Sequence, residues 1–368
     1  MHKQTIRVVY PTCDAKMVLR TEQNWDANIE PVGQNDCVSK FAIETERPYF
    51  YFKPVLLRDN TAQWSRGENF LAVATSGAPI EVHPYFREDT HCSVCELMAP
   101  LMSASGREHR FRVFLPPGYY ENTLKKYPVL YMHDGHNLFF KEEAFAGNTW
   151  RADEVLTMLD KMNAIEEVIA VGIHPNDRMS EYTLPGYEEY GRFLVETLKP
   201  LIDAKYRALG GRANTAVMGS SLGGVVSFSL GWQWPDVFGK VACLSSTFTF
   251  RDDLLKRISL EAKRKIRIYL DSGWPGDNYD ATRRMRDRLI WKGYHPGSKL
   301  FYLAFPEAKH DENAWATRSP IQFQSRMVSR NTLVLAQILA HDPLARFMSA
   351  TEYAIDQIVP TGLLRAFP

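Results

Sequence analysis

The sequence predicts an α/β protein, a mostly parallel sheet covered by helices on both faces, preceded by a small all-β sandwich. Three observations carry this. From about residue 108, nearly all-apolar strand segments alternate with helical ones, the pattern of a parallel sheet buried on both faces. Before about residue 90 there are only short β-segments between turn residues. The length of 368 residues suits about two domains at roughly 150 residues each. The expected division is 1–100 for the sandwich and 101–368 for the α/β part.

In the first part, Ile6–Tyr10, Lys16–Arg20, Phe41–Ile43 and Tyr49–Lys53 are β-rich and separated by Pro, Gly, Asn and Asp. None has a helical period, so an antiparallel sandwich is expected. In the second part, His109–Leu115 alternates until Pro116-Pro117-Gly118 stops it, and Val129–Met132 is a buried strand. Trp150–Met162 reads as a helix and Val168–Ile173 as a strand. Tyr187, Tyr190, Leu194, Leu198 and Leu201, spaced by three and four, define an amphipathic helix. Thr215–Met218, Val241–Leu244, Ile266–Leu270 and Leu300–Ala304 follow as strands, with helices over Leu222–Trp232 and Ala281–Trp291. The stretch Lys256–Arg267 is a solvated helix face leading into a strand, and the tail after Pro320 reads as helical.

Composition narrows the function classes. Apolar residues make up 45% and charged residues 24%, ordinary globular values. The net charge of +1 leaves no global case for nucleic acid or an anionic membrane surface. No apolar run reaches the roughly 20 residues of a membrane helix, and MHKQTIRVVY lacks the apolar core of a secretory signal. Five cysteines, an odd number, suit free thiols in the cytoplasm. Cys92 and Cys95 have CxxC spacing without a second pair, so two buried thiols outweigh a zinc site, and no metal is expected.

Gly219-Ser220-Ser221-Leu222-Gly223-Gly224 fits G-x-S-x-G centred on Ser221, between a predicted strand and a predicted helix. Such an elbow strains its central residue and needs glycines two before and two after it. Centring on Ser220 would put Met218 and Leu222 in the cramped positions, so Ser221 is the expected nucleophile. The Leu222 amide, at the helix start, is a candidate oxyanion donor.

A serine nucleophile needs a histidine, and in this fold the order is Ser, acid, His. His295, His310 and His341 lie downstream. His295 precedes a strand and His341 lies in the tail, whereas His310 follows the last strand, where the base belongs. Three aspartates compete for the acid position: Asp271 abuts a strand, Asp280 reads as a helix cap, and Asp277 lies out in the loop and is preferred. The second oxyanion amide comes from the loop after the third strand. There Gly135 would let the backbone approach the substrate carbonyl, and the His136 amide is the candidate donor. His133 and His136 have no metal-ligand company.

Pro128–Phe139, then Val171-Gly172-Ile173 with Arg178 and Glu181-Tyr182, then Gly219–Gly224, then His310 with Trp315, resemble the putative esterase family over about residues 108 to 325. That family includes esterase D, enterochelin esterases, feruloyl esterases and mycolyltransferases. The resemblance implies an α/β-hydrolase fold and action on a small-molecule carboxylic ester without a cofactor. It puts the nucleophile on Ser221, the base on His310, the oxyanion loop on Gly135-His136 and the acid on Asp277. The acid loop is about one residue longer than the feruloyl esterase pattern, and some siderophore esterases work with a Ser–His dyad. Arg178 and Trp315 fall at substrate-binding positions, although a surface salt bridge with Glu181 explains Arg178 equally well. The N-terminal part resembles β-sandwich, carbohydrate-binding-module-like domains. Trp25, Trp64 and the Tyr49–Phe52 run are candidate stacking faces for sugars there, with alternate aromatics more often core.

The leading expectation is therefore a serine esterase. An acyltransferase would use the same machinery with an alcohol in place of water, and a non-catalytic binding protein would have no need of a complete set of catalytic groups. The sequence does not select the ester or the oligomeric state.

Overall fold

The structure, a computed structural model, describes residues 1–59, 61–74, 77–88, 94 and 97–324. Cys92, Cys95, His341 and the tail beyond 324 lie outside the described residues.

Two sheets form the N-terminal part. One runs Gly33–Gln34, Val38–Thr45, His2–Val9, Ile80–Val82, and the other Asn24–Ile29, Lys16–Thr21, Tyr49–Arg58, Thr61–Trp64, with Phe70–Val73 also on Tyr49–Arg58. They bury one shared apolar cluster, with Ile6, Val8 and Phe41 from the first sheet and Met17, Leu19, Phe50, Phe52 and Leu56 from the second. Strand alternation explains the split in the aromatic run: Phe50 and Phe52 point in, while Tyr49 and Tyr51 are exposed. Pairing is not wholly antiparallel as the sequence led us to expect. Ile80–Val82 lies parallel to His2–Val9, because it arrives after the long excursion through the other sheet rather than by a hairpin.

The remainder is an eight-stranded sheet, whose strands are β1 (Leu101–Met102), β2 (Glu108–Phe114), β3 (Val129–Met132), β4 (Ile169–His174), β5 (Thr215–Ser220), β6 (Lys240–Leu244), β7 (Arg267–Trp274) and β8 (Leu300–Pro306). Their spatial order is β1-β2-β4-β3-β5-β6-β7-β8, antiparallel at β1-β2 and β2-β4 and parallel from β4 to β8. The helices are α1 (Ala152–Lys161), α2 (Arg178–Glu181), α3 (Gly186–Phe193), α4 (Lys199–Lys205), α5 (Leu222–Gln233), α6 (Leu254–Leu260), α7 (Tyr279–Trp291) and α8 (Glu312–Gln324). Between α3 and α4, Leu194–Leu198 continues the helical run as a π turn.

Alternation along the strands supplies two cores. Val129, Tyr131 and Val217 join one cluster with α5, and Leu130, Met132 and Met218 join the other with Leu156 and Leu159 of α1. Both faces of each central strand are therefore dry, which is why these segments read as unbroken apolar runs.

A polar seam joins the two parts. Glu121 accepts from the Tyr10 hydroxyl at 2.8 Å and the Phe86 and Arg87 amides at 2.8 and 2.9 Å. Buried Asn122 donates through Nδ2 to the carbonyls of Val9 and Pro84, both at 2.9 Å. We expect Asn122→Ala to lower unfolding stability by about 2 kcal/mol, two buried bonds at roughly 1 kcal/mol each. Urea titration checks this, and an unchanged midpoint would show that the seam adds no stability.

Candidate active site

Four loops at the C-terminal ends of the strands meet here, those after β3, β5, β7 and β8. The loop after β5 is the tightest. Ser221 has φ 55° and ψ −120°, a region costing of order 1–3 kcal/mol for a residue with a side chain. The surroundings hold it there. Its amide donates to the Leu244 carbonyl at 2.8 Å, and its carbonyl accepts from Gly224 and Thr247. A Cβ on Gly219 would lie 2.6 Å from the Gly223 backbone, and one on Gly224 would collide with Ser246 Oγ. Ser220 is the last residue of β5, buried and paired in the ladder with Leu244.

From Ser221 a hydrogen-bonded line runs inward. Ser221 Oγ is 3.0 Å from His310 Nε2, and His310 Nδ1 is 2.5 Å from Asp277 Oδ1. Asp277 Oδ2 accepts from Ser245 Oγ at 2.5 Å and from the Gly273 amide at 2.8 Å. Burial by itself would raise the Asp277 pKa, but bonds from His310, Ser245 and Gly273 outweigh it and hold the carboxyl below its ordinary value.

The other two aspartates sit elsewhere. Asp271 lies inside β7, which runs on to Trp274, and its fully buried carboxylate accepts from the Tyr269 hydroxyl at 2.9 Å and Gln322 Nε2 at 2.8 Å. Asp280 does not cap α7. Asn278, in the left-handed region at φ 48°, holds that place, and Asp280 is an exposed residue of the first turn paired with Arg283. The helix begins at Tyr279, two residues before the Ala281 start that the sequence pattern suggests, so Asp280 falls inside its first turn.

In the loop after β3, Gly135 opens a 3-10 turn, Gly135–Asn137. A Cβ there would lie 2.5 Å from the Gly172 carbonyl carbon, so the glycine admits close approach to β4. The amides of His136 and Leu222 each fall in the first turn of a helical segment, where no intrahelical acceptor exists. His133 is buried against the Tyr190 hydroxyl, 3.0 Å from Nδ1, and burial pushes its pKa down to about 3. Burial also lowers His136 and takes His174 down to about 4, so these rings are neutral at pH 7. Among the described residues no cluster of three or more His, Cys, Asp or Glu could hold a metal ion.

Arg178 pairs with Asp134 rather than Glu181. Its Nε and Nη2 reach the two Asp134 oxygens at 2.7 and 3.0 Å. Glu181 instead accepts the Asn176 amide at 3.0 Å and lies 3.7 Å from both Arg107 and His109. Trp315 is buried, edge-on to His310 at 5.0 Å between centroids, with Nε1 donating to Ser245 Oγ at 3.0 Å.

Sequence reasoning missed Ser245, Arg318, Asn137 and Glu312. Asn137 Nδ2 donates to Glu312 Oε1 at 2.9 Å, and Trp150 Nε1 donates to Glu312 Oε2, which ties the 3-10 turn to the helix after His310. The signal for Glu312 and Arg318 was their spacing of two and eight residues after His310, on the helix that follows.

Burial pushes the Glu312 pKa up to about 7 from an ordinary 4.5, with Asp134 adding to the rise and the Trp150 bond opposing it. A carboxyl raised on folding contributes stability that is complete below about pH 4.5 and is lost as pH rises through about 7. The melting temperature of the wild type relative to Glu312→Gln should therefore fall across that window and level off above it. A difference that does not change with pH would show that Glu312 ionises normally.

The family model described as Putative esterase matches residues 102–327. Among curated proteins, the uncharacterized protein YbbA of Bacillus subtilis (strain 168) is 25% identical over 170 residues, covering 41% of this chain and 64% of that protein. The endo-1,4-beta-xylanase/feruloyl esterase of Xylanibacter ruminicola is 23% identical over 163 residues, covering 44% and 22%. The chain thus spans less than two thirds of the length of either relative. Among solved structures, a ferulic acid esterase matches with TM-score 0.53 and 20% identity over 64% of this chain and 98% of its own. The enterobactin esterase of Shigella flexneri matches with TM-score 0.53 and 16% identity over 88% and 92%. At these identities the likeness is one of fold, and the fold is α/β-hydrolase-like.

Proposed function

We propose that this chain, which belongs to the putative esterase family and is an ester-hydrolysing enzyme, cleaves carboxylic esters through a Ser221–His310–Asp277 triad and an acyl-enzyme. The observation that carries the reading is the line Ser221 Oγ–His310 Nε2, His310 Nδ1–Asp277 Oδ1, at 3.0 and 2.5 Å, on a strained elbow. Ser221 attacks the carbonyl carbon while His310 Nε2 takes its proton. The oxyanion receives the amides of Leu222 and His136, the first with the positive end of α5 behind it. His310 then gives the proton to the leaving alcohol, and the acyl-enzyme is resolved by water that His310 deprotonates in turn. Asp277, held ionised, fixes the tautomer with Nδ1 protonated and stabilises the imidazolium.

Arg178 uses two nitrogens on Asp134, leaving Nη1 as its substrate-facing donor. Trp315 acts through His310 and Ser245. The solved structures of similar fold are named for ferulic acid and enterobactin, so esters of compounds that carry an aromatic ring are the substrate class to test first. The N-terminal sheets form a separate β-sandwich domain ending near residue 100, with Trp25, Trp64, Tyr49 and Tyr51 outside its core as sugar-stacking candidates. Cys13 and Cys37, exposed and unpaired, suit a reducing compartment such as the cytoplasm. Among the described residues no helix is long and apolar enough to cross a membrane.

On a panel of p-nitrophenyl and feruloyl esters, Ser221→Ala and His310→Ala should each lose several orders of magnitude in kcat, on the order of 10⁶ where such a unit has been dissected. Ser220→Ala should stay active, and a fluorophosphonate should label the wild type but not Ser221→Ala. An active, labelled Ser221→Ala would defeat the reading.

Asp277→Asn should lower kcat by about 10³- to 10⁴-fold through the wrong imidazole tautomer, with KM nearly unchanged. Asp280→Asn should match the wild type in rate and melting temperature, since its exposed ion pair adds little. Near-full activity in Asp277→Asn would point to a Ser–His dyad.

A further inference from the structure

Helix α8 starts two residues after His310 and presents Trp315, Arg318 and Gln322 along one buried stripe, at i, i+3 and i+7. The triad as proposed does not need this stripe, yet all three side chains reach its acid or the strand beneath it. Trp315 Nε1 and Arg318 Nη2 both donate to Ser245 Oγ, each at 3.0 Å. Both groups are donors only. A hydroxyl has one proton and two lone pairs, so with both lone pairs engaged its single proton is left for Asp277 Oδ2, 2.5 Å away. The main chain of Ser245 is pinned on both sides, its amide donating to the Asp271 carbonyl at 2.7 Å and its carbonyl accepting from Asn278 Nδ2 at 2.8 Å.

Charge arrangement points the same way. Arg318 is buried between two carboxylates, with Nη1 3.7 Å from Asp271 Oδ1 and Nη2 3.7 Å from Asp277 Oδ2. Asp271 is held in turn by Tyr269 and Gln322. Burial raises the Asp271 pKa, and Arg318 is the first group that opposes the rise. With both carboxyls ionised, one buried cation faces two anions, and the negative charge left over faces His310. An isolated buried carboxylate would protonate instead.

We propose that Arg318 is a positioning residue for ester hydrolysis, which acts through Ser245 to aim the Asp277 carboxylate at His310 while its charge balances Asp271. The inference rests on the triad reading. Its consequence is a device in which the helix leaving the base also grips the acid, so that base and acid are set by one rigid element.

Arg318→Met alone strands Asp271 as an unpaired buried anion and is expected to fold poorly, so the test uses Arg318→Met/Asp271→Asn, which restores the charge count. With p-nitrophenyl acetate, this folded variant should lose about 10- to 100-fold in kcat with KM within about twofold, the scale of a misplaced catalytic group. Its proton NMR spectrum should also lose or displace the far-downfield signal of the His310 Nδ1–H···Asp277 bond. Arg318→Lys, which keeps the charge but gathers its donors on one nitrogen and cannot bridge Ser245 and both carboxylates, should fall between. Adding Ser245→Ala to the double variant should cost little more, because Arg318 acts through that hydroxyl. Wild-type kcat and an unmoved NMR signal in the folded double variant would overturn the proposal, as would a Ser245→Ala loss that multiplies in full. His310→Ala separates the two readings: if it is inactive while the double variant is fully active, only this inference fails, and if it is active, the triad itself fails.

Discussion

The catalytic half is organised around a backbone conformation that Ser221 would not adopt unaided. At φ 55° and ψ −120° the chain reverses from β5 into α5 within one residue, and this lifts a hydroxyl clear of the sheet and aims free amides at the same point. The strain is offset by neighbours that leave no alternative. The Leu244 carbonyl takes the Ser221 amide, and glycines at 219 and 224 stand where any side chain would strike Gly223 or Ser246. α5 is buried almost from end to end between the sheet and its own layer of helices, so the elbow has a rigid element on each side. This is local strain held in place by global packing.

Around the elbow, the chemistry depends on which charges are kept and which are suppressed. Burial removes charge from His133 and His136 in the loop after β3 and from His174 at the end of β4, so this edge offers amides and neutral rings rather than cations. Asp134 is compensated bidentately by Arg178. Asp277 has enough donors to stay ionised although it is buried. Glu312 lacks them and rises to about 7. Two buried carboxyls thus diverge according to whether the hydrogen bonds aimed at them outweigh the cost of burial.

The loops that carry these groups are also tied to one another. Glu312 links the 3-10 turn after β3 to α8, Ser245 links the loop after β6 to the acid, and Asn278 links the loop after β7 back to Ser245. Each link spans a long stretch of chain but a short distance across the C-terminal edge of the sheet. The strand order brings β3, β5, β6, β7 and β8 side by side, which is what makes such ties possible between irregular segments.

Much of this was legible in the sequence because it is dictated locally. Unbroken apolar runs marked the strands from Val129 onward, since those strands are dry on both faces. The glycine frame chose Ser221 over Ser220, since a steric requirement at fixed offsets leaves a trace at fixed positions. His310 and Asp277 followed from strand order, because loops at the same edge of a parallel sheet necessarily converge. Other features were not local. For Arg178 the sequence offers a nearby ion-pair alternative in Glu181, whereas its partner in the fold is Asp134, 44 residues away. The cap of α7 was misplaced because the helix begins at Tyr279, before the apolar periodicity that marked it, and takes Asp280 into its first turn. Ser245 and Asn137 carried no signature, and Glu312 and Arg318 only that of their spacing after His310. Their roles arise from hydrogen bonds with partners that lie far apart along the chain and meet only where the folded strands end together. The sequence by itself determined the strands, the elbow and the chain order of the groups proposed as catalytic, because sterics and hydrophobic burial act within a few residues. Tertiary structure alone decided which charges pair and which hydroxyl points where, because electrostatic and hydrogen-bond partners are chosen by distance in space.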